Sequence, residues 1–171
     1  DGNKSDLDVV CPMLLEAGLG ASFFFATDLF DKTGYISGQD VQRIAATAGM
    51  EIGVHGTVHH RWTEHAPTRI RQEMLEARRI QANLSGWPIT HIAPPYGAWS
   101  AALAAIARRE GFRQFHTCNE RPGPQAAYLQ HRLCIRAGDD VAALLEQKSS
   151  RQSVLRARLR ALYPAPLPNQ R

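Results

Sequence analysis

The chain has 171 residues, of which 44 % are hydrophobic and 21 % are charged, so disorder throughout is excluded. No apolar run is long enough to cross a bilayer. The formal net charge of +4 is uneven, because residues 1–60 carry eight acidic and three basic residues whereas residues 61–171 carry eight acidic and seventeen basic ones.

Strand-like and helix-like segments alternate along the chain, which predicts an α/β fold. The first helix is expected to begin at a Ser5 N-cap and to turn Val9, Met13 and Leu14 toward the core. Further predicted segments follow in chain order: strand 21–26, helix 39–48, strand 51–54, helix 68–84, strand 89–93, helix 100–109, strand 113–117 and strand 133–135. Helix 68–84 is amphipathic, and its apolar residues are expected to face inward: Ile70, Met74, Ala77 and Ile80.

The C-terminal part is basic and ends in prolines. Asp139 or Asp140 is expected to cap a helix that runs to residue 145. We predict one domain over residues 1–148, followed at 149–171 by a basic helix and a proline-rich tail. The positive charge could contact an anionic polymer or a membrane surface, but a solvated arginine-rich surface is the simpler explanation. No motif indicates specific nucleic-acid binding.

Two histidines, His55 and His59, follow the predicted strand 51–54 with four-residue spacing. Imidazole nitrogens and carboxylate oxygens are ligands that zinc-like ions prefer, and a catalytic site needs about three protein ligands. The spacing also occurs in metalloprotease helices, but Gly56 stands where those carry glutamate and it disfavours helix. Histidines of the core or the surface would explain the same pattern without a metal.

A second block, Pro94-Pro95-Tyr96-Gly97, follows the predicted strand 89–93. The prolines fix the backbone and the glycine permits a sharp turn, which can aim a backbone N–H into a site. A rigid structural turn is the alternative explanation.

Together these blocks resemble the polysaccharide deacetylases of the NodB-homology type, carbohydrate esterase family four. Asp1-Gly2 looks like the end of the family's Thr-Phe-Asp-Asp-Gly motif. The segment 51–59 is similar to its H-x-x-x-H block, and 93–97 resembles its Arg-x-Pro-Tyr-Gly block. The resemblance, which runs to about residue 145, implies an irregular (β/α) barrel, apparently lacking its first strand in this sequence.

The resemblance also implies site residues. Asp1, His55 and His59 would hold one divalent metal ion, with zinc expected, and the Tyr96 N–H would help to hold an oxyanion. Pro95 and Tyr96 would contact substrate. The family's general base is the aspartate before the metal-binding one, a position that the sequence does not include. The general acid is expected to be His131, with His116 as the second candidate.

Ala93 stands at the position where the family usually carries the arginine of its Arg-x-Pro-Tyr-Gly block.

The resemblance implies a metal-dependent hydrolase that removes N-acetyl or O-acetyl groups from a carbohydrate polymer or glycan. Two alternatives stay open: a weak or inactive metal-binding member of the same fold, and a hydrolase of a small amide or imide. The family favours an extracellular, periplasmic or cell-envelope location, with the cytoplasm as the alternative. The sequence leaves the oligomeric state open.

Overall fold

A computed structural model of the chain describes residues 1–118, 128–132, 135, 138–140 and 143. The chain divides into two compact units, Asp1–His116 and Thr117–Arg171. The described strands are β1 (Ala21–Phe25), β2 (Met50–Val54), β3 (His91–Ile92), β4 (Gln114–Thr117) and β5 (Leu129–His131), and the α-helices are α1 (Cys11–Glu16), α2 (Gly38–Ala46), α3 (Pro67–Ser85) and α4 (Ala101–Arg109).

The first unit is built on parallel strands in the order β1-β2-β3-β4. Phe25 pairs with Val54, Val54 with Ile92, and Ile92 with Phe115, so the four strands share one register at their carboxyl ends. Helices connect the successive strands, as parallel pairing requires. The predicted α/β architecture is therefore confirmed.

One face of this sheet forms the hydrophobic core. Phe25, Val54, Ile92 and Phe115 are completely buried there, and helices α2 and α3 both contact β2. The predicted apolar stripe of α3 is confirmed for Ile70, Met74 and Ala77, which are fully buried, whereas Ile80 is half-buried. The core thus fixes the carboxyl ends of the strands, from which the loops of the candidate site emerge.

The opposite face of the sheet is polar and only partly covered, because alternate strand residues point to it. Ser22, Glu51, His91 and His116 lie in the strands between the buried core positions and are half-buried or exposed. Phe24 lies over Gly53, where an added Cβ would collide with its ring.

The first helical segment differs from its prediction. A π-helical stretch (Asp6–Val10) precedes α1, and Ser5 makes no side-chain capping bond. Val9 and Met13 are exposed by 51 % and 63 %, whereas Leu7 and Cys11 are buried; Leu14, the third residue of the predicted face, is half-buried. The predicted inward face was wrong because the wider π-helical turn shifts the 3.6-residue periodicity on which the prediction rests.

Predictions for the C-terminal part have mixed outcomes. The described strand of the second unit, β5, ends at His131 and therefore precedes the predicted strand at 133–135. The Arg132 N–H that follows it donates to the Thr117 carbonyl at 2.9 Å. Ile135 is not in a strand, and residues 133–134 lie outside the described residues. The Ala143 N–H donates to Asp140 Oδ1 at 3.0 Å, as expected of the predicted Asp140 cap. Residues 144–171, with the end of that helix, the basic helix and the tail, lie outside the described residues, and the domain boundary at 148 stays a prediction. No helix in the described part has the length and apolarity needed to span a membrane.

Candidate metal centre

Asp1, His55 and His59 come together at the carboxyl end of the sheet. Asp1 Oδ1 lies 3.2 Å from His55 Nε2 and 3.1 Å from His59 Nε2, and one ligand atom from each residue falls within 4.8 Å of the others. In the described part of the chain this is the one group of three or more His, Cys, Asp or Glu residues arranged to hold a metal ion. The resemblance to the family had implied these three residues as ligands.

The spacing of these atoms suits a small divalent cation. Ligand atoms about 2.1 Å from a tetrahedral zinc ion lie about 3.4 Å from one another, close to the two distances observed. Two imidazoles and one carboxylate also form a donor set typical of catalytic zinc sites, which keep a further coordination position open. The residues therefore fit the ion that the sequence led us to expect.

His55 is held in the tautomer that a ligand needs. Its ring is buried, and Nδ1 lies 2.7 Å from the Ala93 carbonyl oxygen. A carbonyl only accepts hydrogen bonds, so Nδ1 carries the proton and Nε2 presents its lone pair toward Asp1. The Ala93 backbone, directly before the Pro94–Gly97 block, thus orients the side chain of His55.

His59 is favoured in its neutral form as well. Burial lowers the pKa of its imidazole, and the nearby positive charges of the chain's amino group and of His60 act in the same direction. A neutral imidazole can coordinate a cation, whereas a protonated one cannot.

The segment that carries Asp1 is fixed by hydrogen bonds to neighbouring elements. The Asp1 amino group donates to the Phe24 carbonyl at 2.8 Å, and the Ile36 N–H donates to the Gly2 carbonyl at 2.9 Å. Lys4 Nζ donates to Asp40 Oδ2 at 3.0 Å. Asp1 is thereby held beside the end of β1 although its own side chain is 43 % exposed.

Asp40 links this segment to helix α2. It accepts hydrogen bonds from the Ser37 N–H and hydroxyl, and together the two residues form a capping box. The Ser37 N–H first, and then Lys4, lower the pKa of the Asp40 carboxyl to about 2. Asp40 is therefore ionised at any pH at which this chain would work.

The loop that carries His59 is clamped on its other side. His60 Nε2 lies 2.8 Å from Glu73 Oε2 in helix α3, and both side chains are largely buried. Arg69 donates to the second Glu73 oxygen at 3.1 Å, and the His65 ring lies 4.1 Å from the His60 ring. Glu73 was not predicted from the sequence, since nothing in the helical pattern distinguishes it from Glu76, the exposed acidic residue of the same helix.

Gly56 allows the chain to turn between the two histidines. Its φ is +88°, a left-handed value that other residues rarely adopt, and an added Cβ would stand 3.2 Å from the buried Trp62 indole nitrogen. Its carbonyl accepts from the Thr27 N–H at 3.2 Å. The turn brings His59 back toward His55, with the two ring centroids 5.1 Å apart.

Tyr96 borders the cluster. Its ring centroid lies 4.5 Å from that of His59, and the Arg61 guanidinium lies 5.2 Å from the Tyr96 ring. Its φ of +56° is left-handed, which is unusual for a non-glycine residue. No hydrogen bond joins the Tyr96 N–H to another described residue. Such strain in a residue beside a polar cluster is common at functional sites.

The structure describes the surroundings of the other predicted site residues. Pro95 is buried, while Tyr96 is 59 % exposed; the substrate contacts of both stay predictions. His131 belongs to the second unit, where its Nδ1 lies 2.8 Å from Thr117 Oγ1. His116, the second candidate for the acid, contacts the Phe24 ring with centroids 4.8 Å apart. The catalytic role of either histidine stays a prediction.

Several solved structures have a similar fold. The de-N-acetylase from Aggregatibacter actinomycetemcomitans shares 14 % identity and a TM-score of 0.75, over 84 % of this chain and 71 % of that one. The Streptococcus pyogenes deacetylase PplD, solved in complex with acetate, shares 18 % identity and a TM-score of 0.77, over 88 % and 68 %. A CE4 family pseudoenzyme from Bacillus anthracis shares 18 % identity and a TM-score of 0.55, over 62 % and 36 %. At these identities the likeness concerns the fold.

The sequence itself carries the family assignment. The family model described as polysaccharide deacetylase matches residues 1–115, a range that includes both histidines of the cluster and Tyr96. No curated protein sequence matches the chain significantly. Since the family match spans more than half of the chain and the solved neighbours share its architecture, this chain belongs to the polysaccharide deacetylase family and has the NodB-type (β/α) fold.

Proposed function

We propose that this protein is a metal-dependent deacetylase that removes N-acetyl or O-acetyl groups from a carbohydrate polymer, with Asp1, His55 and His59 holding one zinc ion. The observation that carries the proposal is the convergence of two imidazole nitrogens on one Asp1 oxygen, at 3.2 and 3.1 Å. The proposal extends the family assignment, which concerns polysaccharide deacetylases as a class.

A divalent cation bound there would supply a Lewis acid, which polarises a carbonyl oxygen and lowers the pKa of water. The chain's own residues would do the rest. His55 would keep its Nε2 available because Ala93 holds the proton on Nδ1. The Tyr96 N–H would donate to the oxygen on which charge develops as the acetyl carbonyl is attacked. A donor of this kind contributes about 3–4 kcal/mol to lowering the barrier.

Two proton transfers complete the reaction. The resemblance to the family assigns the general base to an aspartate directly before Asp1, and we propose His131 as the acid that protonates the leaving group, an amine when the acetyl group is N-linked. General acid–base catalysis of this kind contributes about 10²- to 10⁴-fold to the rate. Activity is therefore best assayed on a chain in which Asp precedes Asp1, in parallel with the sequence as printed.

The proposal is tested by metal content and acetate release. The parent chain should contain about one equivalent of zinc or a similar ion after incubation with the metal, and His59→Ala should lose it. His91→Ala is the matched control, because this histidine is not one of the three proposed ligands and its Nδ1 lies 3.2 Å from Glu51 Oε2, so the metal should stay in place. No bound metal in the parent chain, or equal binding by His59→Ala, would refute the assignment of the ligands.

Acetate release from an N-acetylglucosamine oligomer should follow the same pattern, with activity present in the parent and lost in His59→Ala. Release from a small amide or imide, but from no saccharide, would instead support the alternative substrate class.

A family member of this type would act on acetylated polymers of the cell envelope, and we propose that location for it. Fractionation of the producing cells would check it.

A catalytically inactive member of the family is the second candidate. The observation that favours it is Ala93, a completely buried alanine where many members carry the arginine that orients the base. A CE4 family pseudoenzyme is among the solved neighbours. Stoichiometric metal without acetate release, in a chain that carries Asp before Asp1, would support this candidate.

A further inference from the structure

A cleft of about 520 Å³ opens at the end of the sheet opposite the metal cluster. Its walls come from the amino ends of β2 and β3, from the turn after α3 and from Arg113. Glu51 lies in this cleft and His55 follows the same strand four residues later. At about 3.3 Å per residue, the two ends are separated by about 13 Å. The cleft is therefore a separate feature of the first unit.

Trp87 is displayed at this cleft on a rigid turn. Gly86 ends α3 with a left-handed φ of +75°, the Trp87 N–H donates to the Ser85 hydroxyl at 3.1 Å, and Pro88 fixes the backbone that follows. The side chain is nevertheless 64 % exposed. An indole ring left in water while its backbone is held in place suits stacking against a flat apolar surface.

Polar groups of both signs line the same cleft. The Arg113 side chain has no ion-pair or hydrogen-bond partner among the described residues, although its backbone N–H donates to the Thr90 carbonyl at 2.8 Å. Glu51 accepts from the Ser22 hydroxyl at 2.9 Å and lies 3.2 Å from His91 Nδ1. The cleft thus offers an unpaired cationic donor and an oriented carboxylate acceptor close to an exposed aromatic ring.

A sugar ring has the matching chemistry. Its C–H faces are apolar and pack against aromatic rings, while its rim carries hydroxyl and acetamido groups that donate and accept hydrogen bonds. Small-molecule sites typically combine such apolar walls with a few placed polar groups. We propose that this cleft is a second glycan-binding site, in which Trp87 stacks on a sugar ring while Arg113 and Glu51 bind its polar substituents.

The site gives a polymer-acting protein a second point of attachment. A polymer held at one site stays at a high local concentration near the other, so the cleft would retain a long glycan close to the metal cluster between reactions. The choice of an N-acetylated glycan as ligand rests on the proposed function, whereas the cleft and its chemistry do not.

The test is calorimetric titration of an N-acetylglucosamine tetramer into the full chain carrying His59→Ala. This substitution disables the metal cluster, so the titration measures binding without hydrolysis. The tetramer should still bind. Adding Trp87→Ala should weaken binding by about tenfold or more, as removal of a central aromatic contact does, while Trp87→Phe should retain most of it because a ring remains.

Arg113→Ala should also weaken binding, and Arg109→Ala is its matched control, since Arg109 is a neighbouring exposed arginine outside the cleft. Absence of binding to the His59→Ala chain, or equal binding by its Trp87→Ala derivative, would overturn the proposal. Self-association of the chain that Trp87→Ala abolishes, without sugar binding, would assign the cleft to contacts between copies and overturn it equally. Tetramer binding by a chain that releases no acetate would count against the proposed activity alone.

Discussion

Asp40→Asn should destabilise the fold by about 2 kcal/mol at neutral pH. The side chain of Asp40 is only 10 % exposed, and its carboxylate accepts from the Ser37 N–H, Lys4 and Arg43 at 2.9, 3.0 and 3.2 Å. The Ser37 N–H first, and then Lys4, lower its pKa from 3.8 to about 2. At about 1.4 kcal/mol per pKa unit, the shift corresponds to roughly 2.4 kcal/mol in favour of the folded state.

The sign of the effect follows from the direction of the shift. Because the folded-state pKa lies below the unfolded one, this stabilisation is fully present above the unfolded value and is lost as the pH falls through the folded value. The window therefore runs from 3.8 down to about 2. Roughly half of the stabilisation should remain at pH 3.

Urea unfolding of the parent and Asp40→Asn chains at pH 7, 5 and 3 measures the effect. The difference in the free energy of unfolding should be about equal at pH 7 and 5 and about half as large at pH 3. Glu16→Gln is the control, because Glu16 is exposed and has no described ion-pair partner. A difference below about 0.5 kcal/mol at pH 7, or one that does not change with pH, would refute the reasoning.

Three further predictions concern the site and the sheet. Glu73→Gln should raise the dissociation constant for the metal with only a small fall in melting temperature, because it weakens the contact with His60 that clamps the His59 loop. Metal titration of the variant beside Glu76→Gln, an exposed glutamate of the same helix, checks this. Metal should stay bound as the pH falls through the ordinary imidazole range, since burial lowers the pKa of His59 and protons compete with the metal only below that value; loss of metal near pH 7 would contradict this. Gly53→Ala should lower the free energy of unfolding by about 1–3 kcal/mol through overpacking, because the added Cβ would collide with the Phe24 ring and stand 3.1 Å from the His91 carbonyl oxygen. Urea unfolding checks this, and the Gly53→Ala, Phe24→Ala double variant should lose less than the sum of the two single losses.

The sequence predicted those parts of the fold and site that follow from local patterns. Ile70, Met74 and Ala77 repeat at helical spacing and are buried in α3 as expected. His55 could be placed at a strand end because a short apolar run precedes it. Asp1 is different, since its place beside β1 depends on hydrogen bonds to residues far along the chain, and only the resemblance to a family indicated it.

The failures have physical causes as well. The inward face of the first helical segment was wrong because the π-helical turn shifts the register, which leaves Met13 exposed and Cys11 buried. The contact between His60 and Glu73 joins residues thirteen positions apart, and neither belongs to a recognisable motif. Long-range polar contacts of this kind leave no periodicity in a sequence, so only coordinates can reveal them.

The cluster is a product of several elements, each of which fixes one ligand. The loop of His59 is clamped to α3 through His60 and Glu73, the ring of His55 is fixed by the Ala93 carbonyl, and the segment of Asp1 is attached to α2 through Asp40. Since the three supports are independent, loss of one should weaken metal binding while the other two ligands stay in place. A site built in this way would bind a cation with little reorganisation, because the ordering of the ligands is already included in the stability of the fold.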